Sequence, residues 1–268
     1  MITDEEFLRV STFMKQRYGI DLSQKKVIVN GRLENYIKKG SWKNINEFMD
    51  DVERDKTGGQ EKMLVNFLTT NHTYIMREFE HFDFFRSVVL PWAKSKESVR
   101  KDLRIWCGAA STGEEPYMIA MVIADFFGIE RSQWDTQGLA TDISTRVLQH
   151  ALAGVYRADQ IKNVPEQWKR RFFKSTAGNS QYLVKEELKK EVLFRQFNLM
   201  DPFPFKRKMH AIFLRNVMIY FDEKTKQELV RKVYDTLEPG GYLFIGTTET
   251  LDRGSTPFQI IQPSIFRK

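Results

Sequence analysis

Apolar residues recur at helical spacing through the first 70 positions, with no strand-like alternation between them. Phe7, Val10 and Met14 form one stripe, preceded by Thr3 and Glu6 in a capping-box arrangement. Val29, Leu33, Tyr36 and Ile37 form a second stripe that stops at Gly40. Asn44 and Glu47 suit the start of a third helix with Ile45, Phe48, Met49 and Val52 on one face. Gly58-Gly59 breaks the pattern, and Met63, Leu64, Phe67 and Leu68 mark a fourth helix. The pattern predicts a small all-α bundle over residues 1–72, followed by a linker and helix over 73–100.

From about residue 100 the period changes. "LRIWCGA" (103–109) predicts a buried strand running into a glycine loop, with Pro116 in the first turn of a mostly buried helix that stops at Gly128. "TQGLATDIS" predicts a second strand, "STRVLQHALAG" a helix, "AIFLRNV" (211–217) a buried strand and "DEKTKQELVRKVYDTL" an amphipathic helix. "PGGYLFIGT" predicts a turn and strand, and "FQIIQPSIF" a last strand. Strands alternating with helices predict an α/β domain with a parallel sheet over 101–268. The stretch from about 172 to 196 reads differently. "QYLVKEEL" and "EVLFRQFNL" predict a small antiparallel β-subdomain with a Gly-Asn turn at 178–179.

Composition changes this picture mainly through charge. The net charge is +7, and residues 15–43 carry eight basic against two acidic side chains. The basic excess therefore sits on the predicted bundle. It suits either a solvated helical face or a docking face for an acidic partner, nucleic acid or protein. The single cysteine, Cys107, excludes an internal disulfide framework and suits a reducing compartment. The acidic start lacks a secretory pattern, and the longest apolar run contains Asp125, so a cytoplasmic protein without membrane insertion is expected. His72, His81, His150 and His210 show no paired ligand spacing, so no metal is expected.

The chemistry concentrates in "CGAASTGEEPY" (107–117). Gly108 and Gly113 have the spacing of a phosphate loop, but Glu114 and Glu115 stand where a lysine and a hydroxyl residue would follow. Two carboxylates at a strand-to-helix turn repel a triphosphate and suit a cationic, hydroxyl-bearing ligand. S-adenosylmethionine carries an ammonium, a sulfonium and a ribose, and no phosphate. A helix-capping role competes for both acids. Asp142 ends the second strand, where an acid takes ribose hydroxyls. It lies 29 residues beyond Gly113, farther than in the dinucleotide pattern. The glycine fingerprint of that pattern is also missing, so NAD is the weaker candidate. The ordered set predicts a Rossmann-like, class I methyltransferase domain.

"TTNHTYIMREFEHF" (69–82), "ASTGEEPY" (110–117), "TDIS" (141–144), "NL" (198–199), "FLRNVMIYFD" (213–222) and "LEPGGYLFIG" (237–246) also occur in a known order. In that order they resemble the CheR-type chemotaxis receptor methyltransferases, S-adenosylmethionine-dependent protein-glutamate O-methyltransferases. The resemblance implies glutamate methyl-ester formation on chemoreceptors, with S-adenosylhomocysteine as product. It implies cofactor contacts from Asn71, Thr73, Arg77, Glu115, Asp142, Asn198, Leu199, Arg215 and Asn216. Glu115 would meet the amino end, Asp142 the ribose, and Asn198 with Leu199 the adenine. Glu114 is left as a cap or surface acid. Arg77 and Tyr220 are the expected catalytic pair, Arg77 orienting the acceptor carboxylate and Tyr220 lining its path.

Under this reading the basic helices dock the acidic helices of a chemoreceptor's cytoplasmic region. Arg32, Lys38 and Lys39 come first, then Lys25 and Lys26. A monomer is expected, and the short "KSTAGNSQY" loop argues against peptide tethering by the β-subdomain. Two rival classes remain at this level. A nucleic-acid methyltransferase would explain the charge, but "DPFPF" (201–205) precedes the strand that would carry its motif, and aromatics do not interleave with the basic run. A non-catalytic adaptor on the same scaffold would bind cofactor without transferring methyl.

Overall fold

The computed structural model describes every residue except Met1, Ala177 and Asn179. The expected Gly-Asn turn includes Asn179 and so lies partly outside the described residues. Four helices open the chain: α1 (Asp4–Tyr18), α2 (Lys26–Lys39), α3 (Ile45–Arg54) and α4 (Gly59–Leu68). The Thr3–Glu6 capping box forms, and the Asn44 side chain accepts from the Glu47 N–H. The helices share one core built from Val10, Met14, Val29, Leu33, Phe48, Met49 and Leu64. Their apolar stripes interlock as the periodicity requires.

A longer helical run follows: α5 (Glu80–Phe84), a π-turn (Phe85–Val89) and α6 (Leu90–Lys96). Pro91 explains the wide turn. It has no N–H to offer the Ser87 carbonyl, and its ring crowds that oxygen, so the preceding turn loosens. Phe82 and Phe85 pack against Phe213, with ring centroids 5.9 and 5.2 Å away. This run therefore buries a sheet face.

The remaining elements build two sheets. In chain order they are β1 (Ile105–Gly108), α7 (Glu114–Phe127), β2 (Gly138–Asp142), α8 (Thr145–Ala153), β3 (Val155–Arg157), α9 (Glu166–Phe172), β4 (Phe173–Ser175), β5 (Gln181–Val184), α10 (Glu186–Lys189), β6 (Val192–Gln196), β7 (Met209–Phe213), α11 (Glu223–Thr236), β8 (Leu237–Phe244), β9 (Gln259–Gln262) and β10 (Ile265–Arg267). The large sheet has the order β6-β2-β1-β7-β8-β10-β9. Its first five strands are parallel, and β10 runs antiparallel to both β8 and β9. β1 and β7 are buried along their whole length, as central parallel strands with both faces covered must be. This is the expected α/β, Rossmann-like arrangement with an all-α region before it.

Two expectations change. The β-subdomain is not 172–196. The small sheet is β3-β5-β4, and β6 instead pairs parallel with β2 as the edge of the large sheet, Ala140 opposite Phe194. An edge strand is half exposed, so Val192 and Phe194 are buried while Leu193 is half-buried and Arg195 exposed, the alternation of an antiparallel strand. "FQIIQPSIF" is a hairpin, β9 and β10, turning at Ser264 with φ 61°.

Strand order reverses between β1 and β7, so a crevice opens at their carboxyl ends. The helical region closes it from above. The Asp21 N–H donates to the Tyr220 carbonyl (2.8 Å), Lys15 pairs with Asp222 (2.8 Å), and the Ser144 hydroxyl donates to Asn66 Oδ1 (2.7 Å).

Candidate functional site

The crevice holds a cavity of about 540 Å³, bounded by the loops after β1, β2, β6 and β7 and by residues 18–32 and 68–77. Its size is that of an ordinary small-molecule site. Every residue expected to touch cofactor or acceptor lines it: Asn71, Thr73, Arg77, Glu115, Asp142, Asn198, Leu199, Arg215, Asn216 and Tyr220. The α5–α6 run does not line the cavity; the segment before it does.

The loop after β1 is built for close approach. Ala109, Ser111 and Gly113 have φ of 60°, 49° and 93°, a left-handed backbone that costs energy at the first two and favours glycine at the third. A Cβ on Gly113 would lie 2.8 Å from that of Ala151 on α8. Glu114 is not a surface acid. It is 1 % exposed, its carboxyl is raised by burial, and it accepts from the Thr112 hydroxyl (2.6 Å).

Glu115 belongs to a charged cluster. Arg215, whose side chain is 1 % exposed, bonds Glu115, pairs with Glu78 at 3.1 Å and donates to the Arg77 carbonyl at 2.7 Å. Burial alone would lower the pKa of Arg215; Glu115 and Glu78 outweigh it and raise it. Burial would likewise raise Glu78, but the Arg215 charge holds its carboxyl below the ordinary range. The other Glu115 oxygen accepts from the Cys107 thiol (3.3 Å), which burial and Glu115 keep protonated. Glu78 also pairs with Arg77 (3.7 Å) and does not line the cavity, so Glu115 is the carboxylate of the cluster that meets an ammonium there.

Asp142 lies at the end of β2, where its oxygens accept the Ser111 N–H (2.8 Å) and the Ser144 N–H (2.9 Å). Burial raises this carboxyl while those N–H groups pull the other way. Each oxygen keeps a lone pair for a ribose hydroxyl. Leu199 packs beside Gly108 and offers an apolar surface to a ring. The Asn198 side chain does something else. Its amide donates to the Arg17 carbonyl (2.9 Å) and its oxygen accepts from the Met200 N–H (3.0 Å). It ties the loop to α1 with one amide hydrogen and one oxygen lone pair. Arg77 donates to the His72 carbonyl (3.1 Å) and lies near Tyr74, 5.8 Å from the ring centroid.

The basic residues of the helical region divide. Arg32 donates to the carbonyls of Phe67, Leu68 and Thr69 (3.3, 3.1 and 3.0 Å) and so caps α4. Lys26 pairs with Asp4 and Lys38 with Glu34, both exposed pairs. Lys25 and Lys39 are exposed, and Lys25 also lines the cavity.

This constellation matches a family model. Residues 71–266 fit the model described as CheR methyltransferase, SAM binding domain. The chain belongs to the CheR methyltransferase family. A chemotaxis protein methyltransferase of Borreliella burgdorferi is 39% identical over all of this chain and 95% of its own length. One from Escherichia coli is 34% identical over 99% of this chain and 91% of its own length. The protein is thus an S-adenosylmethionine-dependent methyltransferase. Among the described residues no helix is long and apolar enough to cross a membrane, and no cluster of His, Cys, Asp or Glu is placed to hold a metal.

Sequence reasoning missed Glu78 and Glu249. Glu78 stands next to Arg77 in a recognised stretch, and the left-handed φ of 53° that turns it toward Arg215 is invisible in the sequence. Glu249 sits in an unremarked "TTET" after β8. Only the closing of the sheet brings it to the turn after β7.

Proposed function

We propose that the protein transfers the methyl group of S-adenosylmethionine to glutamate side chains on the cytoplasmic helices of chemoreceptors, acting as a cytoplasmic monomer. The observation that carries the reading is the cavity's position. It lies between the strand ends that hold the cofactor residues and the basic helical region, and both line it. The relatives, named chemotaxis protein methyltransferases, support the same process.

Bound S-adenosylmethionine supplies an electrophilic methyl on a sulfonium. The acceptor glutamate is ionised at neutral pH, so no strong base is needed. A carboxylate oxygen forms the new bond to carbon as the carbon–sulfur bond breaks, and that electron pair stays on sulfur. The products are a methyl ester and neutral S-adenosylhomocysteine. Asp142 holds the ribose hydroxyls, and Glu115, held by Arg215, faces the ammonium. Leu199 and the backbone of Asn198 take the adenine, while Asn71, Thr73 and Asn216 complete the wall. Arg77 orients the acceptor carboxylate and Tyr220 borders its approach. Catalysis then comes from alignment and exclusion of water. Lys25 and Lys39 steer the acidic receptor helix; Arg32, Lys26 and Lys38 shape the same face with their charges partly engaged.

The test is transfer of labelled methyl to receptor-containing membranes. Label released by mild base as methanol is expected. Base-stable label, or label on RNA, would sink the proposal.

A further inference from the structure

The segment that presents Asn216 and Tyr220 has little structure of its own. β7 stops at Phe213. The chain then passes through Asn216 in a left-handed conformation (φ 57°) into a single 3-10 turn, Met218–Tyr220. Among non-glycine residues asparagine tolerates this conformation well, and contacts from elsewhere in the chain hold the turn that follows.

One distant carboxylate supplies that constraint. Glu249 Oε2 accepts the N–H groups of Gly246 (2.6 Å) and Asn216 (2.7 Å). Its Oε1 accepts those of Met218 (2.7 Å) and Ile219 (3.3 Å). Three of these four donors belong to the turn, and the side chain is buried. Burial raises the carboxyl while the N–H groups favour its charged form. Glu249 does not line the cavity, whereas Asn216, Ile219 and Tyr220 do. Gly246 completes the arrangement. A Cβ there would fall 2.3 Å from Asn216 Nδ2 and 2.9 Å from Glu249 Oε2, so only glycine lets the strand pass this close.

We propose that Glu249 is the positioning residue of the methyl-transfer site, its carboxylate setting the backbone that presents Asn216 and Tyr220 to the cavity. The inference rests on the functional reading above for the roles of those two residues. Glu249 itself touches neither cofactor nor acceptor.

Glu249→Gln keeps the shape but turns an N–H₂ toward backbone N–H groups, leaving buried donors unmatched. In the full-length protein it is expected to lower kcat tenfold or more. It should speed amide hydrogen exchange across 213–222 at least tenfold, with β1 and α7 unchanged. In an Asn216→Ala, Tyr220→Phe background, adding Glu249→Gln should lower kcat less than threefold, because all three changes then act through the same groups. A kcat within threefold of wild type, unchanged exchange over 213–222, or the full tenfold loss persisting in that double-variant background would overturn the proposal. If Glu249→Gln does not fold, Glu249→Asp and Gly246→Ala disturb the same contacts, with the same outcomes read. Exchange measured with S-adenosylhomocysteine bound needs no acceptor. It decides the role of Glu249 even if wild type transfers no methyl to receptors, a result that would strike the functional reading alone.

Discussion

Arg215→Met removes a side chain that is 1 % exposed and replaces it with an apolar one of similar length. The loss leaves Glu115 without its cation and Glu78 with only Arg77 at 3.7 Å, and it frees the Arg77 carbonyl that accepted at 2.7 Å. Removing one partner of a buried ion pair costs about 3–5 kcal/mol, because the remaining charge has no compensation. For a chain of this size each kcal/mol moves the melting midpoint by about 2–4 °C, so a fall of roughly 6–20 °C is expected at pH 7. Cofactor affinity should fall with it, since the loops after β1 and β7 are joined through this guanidinium. Two controls separate charge from packing. Glu78→Gln added to Arg215→Met removes one stranded acid and should recover a clear part of the loss. Lowering the pH toward the carboxylate range should shrink the gap between wild type and Arg215→Met, because protonation relieves the same charges. Differential scanning calorimetry at pH 7 and pH 5 reads all of this. A midpoint shift below 2 °C, or no recovery on neutralising Glu78, would refute the reasoning.

Other consequences follow from single contacts. Burial lowers the pKa of His81 from 6.5 to about 4, so the unfolded chain binds the extra proton first as pH falls. The stability from its neutral form is complete above about pH 6.5 and is lost toward pH 4, about 2 kcal/mol by pH 4.5. Urea unfolding at pH 7 and 4.5 should show a steeper acid loss in wild type than in His81→Gln, and equal slopes would count against it. Asn198→Ala should cost about 1 kcal/mol of stability through its lost tie to α1 but leave S-adenosylhomocysteine affinity within threefold. A tenfold weaker affinity by calorimetry would return its side chain to the adenine. Gly113→Ala forces a left-handed alanine into the Ala151 backbone, and a loss of about 1–3 kcal/mol by chemical denaturation is expected. Lys25→Glu should slow methylation of receptor membranes and flatten its salt dependence, since Lys25 is exposed at the cavity. A rate that remains steeply salt-dependent in this variant would reassign the docking charge.

Much of the fold was legible because its elements are long and strongly periodic. Helix stripes such as Ile45, Phe48, Met49 and Val52 admit one burial pattern, and β1 and β7 are too short and too apolar for anything but a central strand. β6 was misplaced because an edge strand of a parallel sheet is half exposed, so its alternation mimics an antiparallel one. The cavity residues were legible as a set, through the residues at strand ends and the ordered motifs. Their partnerships were not. Asn198 and Arg32 look like ligand and docking groups in the sequence, and only three-dimensional proximity shows each donating to a backbone carbonyl of the helical region. Glu78 and Glu249 carry no local signal, because what matters about each is a turn contributed by another part of the chain.

The contact between residues 20–21 and 220–221 redraws where this protein can be cut. Hydrophobic periodicity puts the seam near residue 72, after the helices and before the cofactor loops. Yet Ile20 and Phe221 form a two-residue antiparallel bridge, and the Asp21 N–H holds the carbonyl of Tyr220 itself. A fragment beginning at residue 73 would keep every strand of the sheet and lose part of the scaffolding of the cavity wall at Tyr220. Grafting a foreign recognition module onto this enzyme therefore requires retaining the stretch from Lys15 to Asp21, whatever replaces the helices around it.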